Sequence, residues 1–244
     1  MAKNILGVIG GLGPMATAYF MMLVTDMTKA SKDQEHIKSV VLMRPETPDR
    51  TGFILGNSNE NPLPSLIKME DDVCILGAKV LAMPCITAHY FQKELIENLK
   101  TKDDVVLIDG ITQTAMYLKE NNITSCGIMA TDGTINSKLF QNKFNEFGIK
   151  SITPNENDQK MVMSFIYDNV KAGKCVDVNE FNKVAKHLKD EGAQVILLGC
   201  TELSMIKKDN KLCSGVLDVL EVLAQKAVLL CGELKEEYKD LITR

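Results

Sequence analysis

Two cysteines, Cys85 and Cys200, each follow a buried apolar run. Val80-Leu81-Ala82-Met83-Pro84-Cys85-Ile86-Thr87 has the same outline as Val195-Ile196-Leu197-Leu198-Gly199-Cys200-Thr201, and 115 positions separate the two thiols. A thiol suits proton transfer, because modest local fields move its protonation state near neutrality. Inverting a carbon centre means removing a proton from one face and returning one to the other. A single base does this poorly. Two thiols facing each other across the carbon could do it well, one as thiolate base and the other as thiol acid, with the roles exchanged when direction reverses. The bland alternative, two small buried hydrophobes at strand ends, stays open on these residues alone.

The elements around them must bring such a pair together. Short apolar runs at Ile5–Ile9, Val40–Met43, Val80–Met83, Val105–Ile108, Ser125–Met129 and Val195–Leu198 read as strands, several of them covered on both faces. Amphipathic stretches at Thr17–Ala30, Pro64–Leu76, Gln92–Asn98, Ile111–Asn121, Asn136–Phe147, Asp158–Ala172 and Asn179–Glu191 lie between them. Alternating strands and helices predict an α/β fold with mainly parallel, doubly wound sheets. A weak repeat suggests two such units. Gly7-Val8-Ile9-Gly10-Gly11-Leu12-Gly13 matches the outline of Gly127-Ile128-Met129-Ala130-Thr131-Asp132-Gly133, and Gly7/Gly127, Gly13/Gly133 and Phe20/Phe140 are each 120 apart. Ligands of open α/β sheets bind beyond the carboxyl ends of strands, which is where each half puts its cysteine. The expectation is therefore two similar lobes, residues 1–114 plus 217–244 and residues 115–216, with the site in the cleft between them. The last stretch, Val216–Tyr238, reads as a helix with no strand of its own, broken near Gly232, that returns to the first lobe.

Bulk properties exclude several classes. At 244 residues and 45% hydrophobic composition the chain can bury a substantial core. A net charge of −4 with no basic stripe argues against nucleic acid, and no apolar run approaches a membrane span. The first residues lack a secretory pattern, so a cytoplasmic location is expected. The seven cysteines contain no Cys-x-x-Cys pair, so neither a zinc knuckle nor a disulfide framework is expected. Cys74, Cys126, Cys213 and Cys231 read as core hydrophobes, and Cys175 lies in a polar turn. His187 reads as a helix-surface residue and His36 as a loop residue. Gly11-Leu12-Gly13-Pro14 breaks the Gly-x-Gly-x-x-Gly fingerprint and Pro14 removes an amide donor, which disfavours a dinucleotide.

Six ordered motifs go further. Gly10-Gly11-Leu12-Gly13-Pro14-x-Ala16-Thr17, Pro45-Glu46-Thr47-Pro48-Asp49-Arg50-Thr51, Pro84-Cys85-Ile86-Thr87-Ala88-His89, Ala130-Thr131-x-Gly133-Thr134, Ile166-Tyr167-x-x-Val170-Lys171-x-Gly173 and Leu198-Gly199-Cys200-Thr201-Glu202-Leu203 together resemble the signatures of aspartate/glutamate racemases, from Lys3 to about Asp218. The resemblance implies a two-lobed, cofactor-independent racemase without pyridoxal phosphate, usually a homodimer, acting on a small amino-acid substrate. It implies that Cys200 serves the L-enantiomer and Cys85 the D-enantiomer. It also implies that Arg50 and Lys171 hold the substrate's side-chain carboxylate, for which a bidentate guanidinium and a lysine point charge are suited. Thr87, Thr131 and Thr201 are hydroxyl donors beside strand ends. With backbone amides near Gly11 and Gly13, they could bind the α-carboxylate or merely cap helices. His89 and Glu202 either polarise the thiols or orient them.

One departure stands out. The family pattern has asparagine after the first cysteine, and this chain has Ile86, which can neither donate nor accept a hydrogen bond. Racemisation of an acidic amino acid, aspartate ahead of glutamate, is the leading reading. A related isomerase or decarboxylase and a non-catalytic amino-acid-binding relative are the alternatives. Two retained cysteines argue against a decarboxylase, and Ile86 favours the binding relative. The two acidic substrates differ by one methylene, which is worth only about 1–3 kcal/mol of discrimination.

Overall fold

A computed structural model describes residues 4–244; Lys3, where the family resemblance begins, lies outside the described residues. Among the described residues eight strands form: β1 (Leu6–Gly10), β2 (Ser39–Met43), β3 (Val80–Ala82), β4 (Val106–Leu107), β5 (Ser125–Met129), β6 (Lys150–Ile152), β7 (Val195–Leu198) and β8 (Val216–Asp218). The helices are α1 (Pro14–Met27), α2 (Arg50–Ile54), α3 (Leu63–Ile75), α4 (Gln92–Leu99), α5 (Gly110–Glu120), α6 (Asp132–Asn136), α7 (Leu139–Glu146), α8 (Glu156–Ser164), α9 (Val178–Asp190), α10 (Thr201–Asp209) and α11 (Val219–Cys231). A 3₁₀ turn spans Ile86–Phe91, and a π-helical turn spans Phe165–Val170.

The strands make two parallel sheets, ordered β2-β1-β3-β4 and β6-β5-β7-β8. Adding four to each number of the first order gives the second. Strand order reverses between β1 and β3, and again between β5 and β7. These are the switch points where such sheets bind ligands. The repeat is visible in packing as well. A Cβ on Gly7 would lie 2.7 Å from Leu81, 2.8 Å from Ala78 and 3.1 Å from Val73; one on Gly127 would lie 3.0 Å from Ile196, 3.2 Å from Ala193 and 3.0 Å from Leu188. Each pair of neighbours, 81 and 196, 78 and 193, 73 and 188, is 115 apart, the spacing of the two cysteines. Glycine in both first strands lets the following helix layer close onto the sheet.

Three apolar clusters hold the layers. One covers the outer face of the first sheet, with Ile9, Leu66, Met69 and Leu81. A second covers the outer face of the second sheet, with Met129, Phe181, Ile196 and Leu198. The largest is shared, running from Phe20 and Val8 through Ile128, Phe140 and Leu197 to Leu220 and Leu223. β1, β5 and β7 have only apolar residues or glycine over nearly their whole length because both faces are covered.

The structure adds β6, α2 and α10 to the elements read from the sequence, and three of the expected helical stretches take a different form. The helix expected at 136–147 is α7 and starts later, at Leu139, because Lys138 adopts a left-handed conformation (φ 55°) that separates it from α6. The stretch 158–172 starts earlier, capped by the Asn155 side chain at Glu156, and ends in the π turn. The stretch 216–238 is not helix throughout. Val216–Asp218 pairs in parallel with β7, and Asp218 then caps α11 by accepting from Leu220 N. The expectation of a C-terminal stretch without a strand is thereby corrected, and a boundary at 216/217 would fall inside β8. From there α11 packs against α1, α5 and β3. Among the described residues no helix is long and apolar enough to cross a membrane.

Candidate active site

β3 and β7 are the strands next to β1 and β5, and each delivers one cysteine at its carboxyl end. Cys85 precedes the 3₁₀ turn, and Cys200 is the N-cap residue of α10. Both line one cleft together with Leu12, Asp49, Arg50, Thr51, Ile86, Thr87, Thr131, Tyr167, Lys171, Thr201 and Glu202. Residues from both halves of the chain contribute to its walls. The cavity is only about 20 Å³, room for roughly one water. That is less room than an amino acid fills.

The surroundings of the two thiols differ. Two residues after Cys85 stands Thr87; two after Cys200, at the equivalent place, stands Glu202. The Cys200 thiol donates to Glu202 Oε2 at 2.9 Å. Burial pushes the Cys200 pKa well above its ordinary value, and the Glu202 charge and hydrogen bond push the same way. Cys200 therefore rests as a thiol with its proton already on a path to a carboxylate. Lys171 Nζ lies 3.7 Å from Glu202 Oε1 and 4.5 Å from the Tyr167 ring centroid. Burial works against the Lys171 ammonium, but Glu202, the Tyr167 phenol and the two thiols outweigh it and raise its pKa.

On the other side, Thr87 Oγ1 is 3.1 Å from Thr131 Oγ1 and 3.2 Å from Thr134 Oγ1, and those two are 3.0 Å apart. Thr131 also caps α6 by accepting from Thr134 N. Three buried hydroxyls thus tie the first half to the second beside Cys85. Thr201 opens α10 and lines the cleft, and its hydroxyl donates to Glu202 Oε2 at 3.4 Å.

Arg50 is buried, and its guanidinium is held by backbone carbonyls. Nη1 donates to Thr47 O and Pro48 O, and Nη2 donates to Leu12 O. Nε is buried without a partner. A guanidinium has five N–H donors, so Nε–H and one Nη2–H remain. Among the described residues no carboxylate forms an ion pair with Arg50. A buried cation left this way calls for an anion.

Three expected site residues are placed elsewhere. Gly11 and Gly13 do not line the cleft; the residue between them, Leu12, does. Gly11 has φ +91°, a Cβ there would lie 2.3 Å from Arg44 N, and its amide donates to Thr17 Oγ1, so its role is to make the turn. Gly13 is the N-cap of α1, where a Cβ would come 3.2 Å from Glu202 Oε1. His89 also lies off the cleft wall. Its Nδ1 lies 3.1 Å from the Cys85 carbonyl, and its Nε2 accepts from Gly110 N at 3.3 Å. That pattern fixes a neutral ring with the proton on Nδ1. Burial, opposed by the Asp109 charge, lowers its pKa. His89 thus braces the Cys85 backbone against α5 and does not polarise the sulfur. Asp49, Thr51 and Tyr167 are cleft residues that lay unremarked inside the motifs. His187 is on the α9 surface, paired with Asp158 at 2.9 Å. All seven cysteines are free. Among the described residues no group of three or more His, Cys, Asp or Glu could hold a metal ion.

A family model described as Asp/Glu/Hydantoin racemase matches residues 9–227. The chain belongs to the Asp/Glu/Hydantoin racemase family. Its structure is similar to that of an aspartate racemase from Picrophilus torridus, with a TM-score of 0.79 and 29% identity over 96% of this chain and 97% of that one. A glutamate racemase from Shewanella frigidimarina is 25% identical over 170 residues, which is 68% of this chain and 64% of that protein. The fold of a glutamate racemase from Francisella tularensis in complex with D-glutamate matches with a TM-score of 0.62, at 17% identity over 94% of this chain and 81% of that one. The family match spans both cysteine strands and every cleft residue from Leu12 to Glu202.

Proposed function

We propose that the chain racemises an acidic amino acid by a two-base mechanism, with Cys200 serving the L-enantiomer and Cys85 the D-enantiomer. What carries this reading is the placement of two thiols at equivalent strand ends of two equivalent sheets, lining one cleft. The resting Cys200 thiol passes its proton to Glu202 when it must act as base. The resulting thiolate takes the Cα proton of the L-enantiomer, the Cys85 thiol gives a proton to the opposite face, and the proton left on Glu202 is exchanged through water to the Cys85 thiolate once product leaves. In the reverse direction Cys85 takes the proton and Cys200 returns one.

Charge selects the substrate. The free edge of Arg50 is suited to a carboxylate held bidentately, and Lys171 adds a second positive charge across the cleft. The hydroxyls of Thr87, Thr131 and Thr201 face the α-carboxylate. They also stabilise the charge that grows there as the Cα proton leaves. Aspartate is the preferred substrate in this reading, supported by the likeness to the Picrophilus aspartate racemase and by the small cleft. The enzyme works in the cytoplasm as a homodimer without a cofactor. The halves that part for substrate divide within α5 and after β8, so that residues 219–244 return to the first half; the packing of α11 on α1 and β3 supports that division.

Incubation with L-aspartate in deuterated water tests the proposal. D-aspartate should accumulate carrying one solvent deuteron at Cα. Binding of L-aspartate without inversion or exchange would favour instead a non-catalytic binding relative, the reading to which Ile86 points.

A further inference from the structure

Each half ties the segment after its cysteine to the helix that follows its last strand, and the two halves do so with different side chains. In the first, His89 stands four residues after Cys85 and joins the Cys85 carbonyl to Gly110 N, the first amide of α5. Four residues after Cys200 stands Ser204, wholly buried in α10. Leu81 pairs with Leu107, and Ile196, 115 residues on, pairs with Val216, so Asp109 and Asp218, each two residues further along, hold equivalent places. Both are N-caps, Asp109 of α5 and Asp218 of α11. The Ser204 hydroxyl donates to Asp218 Oδ1 at 2.8 Å, and Leu220 N donates to the same oxygen at 2.9 Å. Asp218 Oδ2 is buried with no partner. A wholly buried carboxylate with one bare oxygen is costly, and capping alone does not account for it, since a neutral serine or asparagine caps a helix as well. β8 also sets Asp218 beside Leu198, two residues before Cys200. The Ser204–Asp218 bond therefore joins the strands that lead to Cys200 to the first turn of the helix that carries Glu202.

We propose that Ser204 and Asp218 are positioning residues: their bond fixes α10 so that Glu202 stays against the Cys200 thiol, as His89 holds the backbone of Cys85. The proposal rests on the racemase reading for its purpose, but it can be tested without turnover. The probe is iodoacetamide across a pH series, with alkylation followed by peptide mass spectrometry, so that Cys85 is the control for Cys200 in the same sample. Burial first, and then Glu202, hold the Cys200 thiol high, opposed by Lys171. Ser204→Ala lets Glu202 draw away, so the Cys200 profile should move to lower pH while that of Cys85 stays. Asp218→Asn keeps an oxygen for Ser204 and Leu220 N and loses only the charge, so its Cys200 profile should match that of the unaltered protein. Lys207→Met breaks the 2.6 Å pair with Glu221 in the last turn of α10, and should lower the melting temperature without moving either profile. In racemisation assays Ser204→Ala should lower kcat by about 10- to 100-fold, the scale of a displacement of up to about 1 Å. KM for aspartate should change little, since neither Ser204 nor Asp218 lines the cleft. An unmoved Cys200 profile in Ser204→Ala, shown to be folded by circular dichroism, would overturn the proposal, and so would an equal move in Asp218→Asn or Lys207→Met. Absence of racemase activity in the unaltered protein would count against the functional reading alone, and the alkylation profiles would still decide the brace.

Discussion

Glu202→Gln separates two roles that the structure allows for the carboxylate. Cys200 donates to Glu202 Oε2 at 2.9 Å, and burial followed by the Glu202 charge holds the thiol pKa high. If the carboxylate only repelled the thiolate, the amide would lower the Cys200 pKa and raise activity. If the carboxylate receives the thiol proton, the amide, which cannot accept it as a base, slows every turnover in which Cys200 must ionise. A hydrogen bond to a charged group is worth about 1.5–3 kcal/mol, so kcat/KM should fall by roughly ten- to 150-fold. The fall must be equal in the two directions, because the equilibrium constant between enantiomers is one. The assay is chiral separation of products from L- and from D-aspartate. A parallel alkylation profile of Cys200 against pH should move to lower pH in the variant, since one cause of the raised pKa is gone. Activity at or above that of the unaltered protein would refute the proton-acceptor role.

Three further variants test the surroundings. Lys171→Ala and Arg50→Ala should each raise KM for aspartate by about tenfold or more, because each removes a charged donor from the substrate carboxylate. Arg50→Ala should also lower the melting temperature, because the carbonyls of Leu12, Thr47 and Pro48 lose their donor, and equal KM values in all three proteins would remove the clamp. Ile86→Asn should lower KM by up to the same factor, since Ile86 is a buried cleft residue at the place equivalent to Thr201; a raised KM would mean the cleft has adapted to the apolar side chain. Glu70 is wholly buried in α3, its Oε1 has no partner, and burial raises its pKa from 4.5 to about 7. A carboxyl with a raised pKa binds its proton more tightly when folded, so it contributes stability at low pH that is lost as pH rises from about 4.5 through 7. Glu70→Gln should remove that slope, worth roughly 3 kcal/mol at most. Denaturant titrations at acid and alkaline pH check this, and parallel stability curves for the two proteins would contradict it.

The repeat was legible because glycines and cysteines mark each half at constant spacing. Gly7 and Gly127 keep the strand–helix approach, and Cys85 and Cys200 keep the strand ends. What the sequence hid was mostly non-local or short. β8 is three residues long and runs directly into α11, so its apolar pattern reads as the start of that helix. The break before α7 rests on Lys138, a residue type that gives no warning of a left-handed conformation. The role of His89 depends on Gly110, 21 residues away. Glycines beside a site suggested a role in binding substrate, but the turn they make leaves Leu12 at the wall and Gly11 N bonded to Thr17.

The two-thiol mechanism itself is tested most directly by Cys85→Ala, Cys200→Ala and the double variant, with racemisation followed from each enantiomer of aspartate. Each face would lose its only proton carrier, so both single variants should lose racemisation, and the double variant should be little worse than either, as expected of groups that act as a unit. Substantial racemisation by either folded single variant would contradict the account.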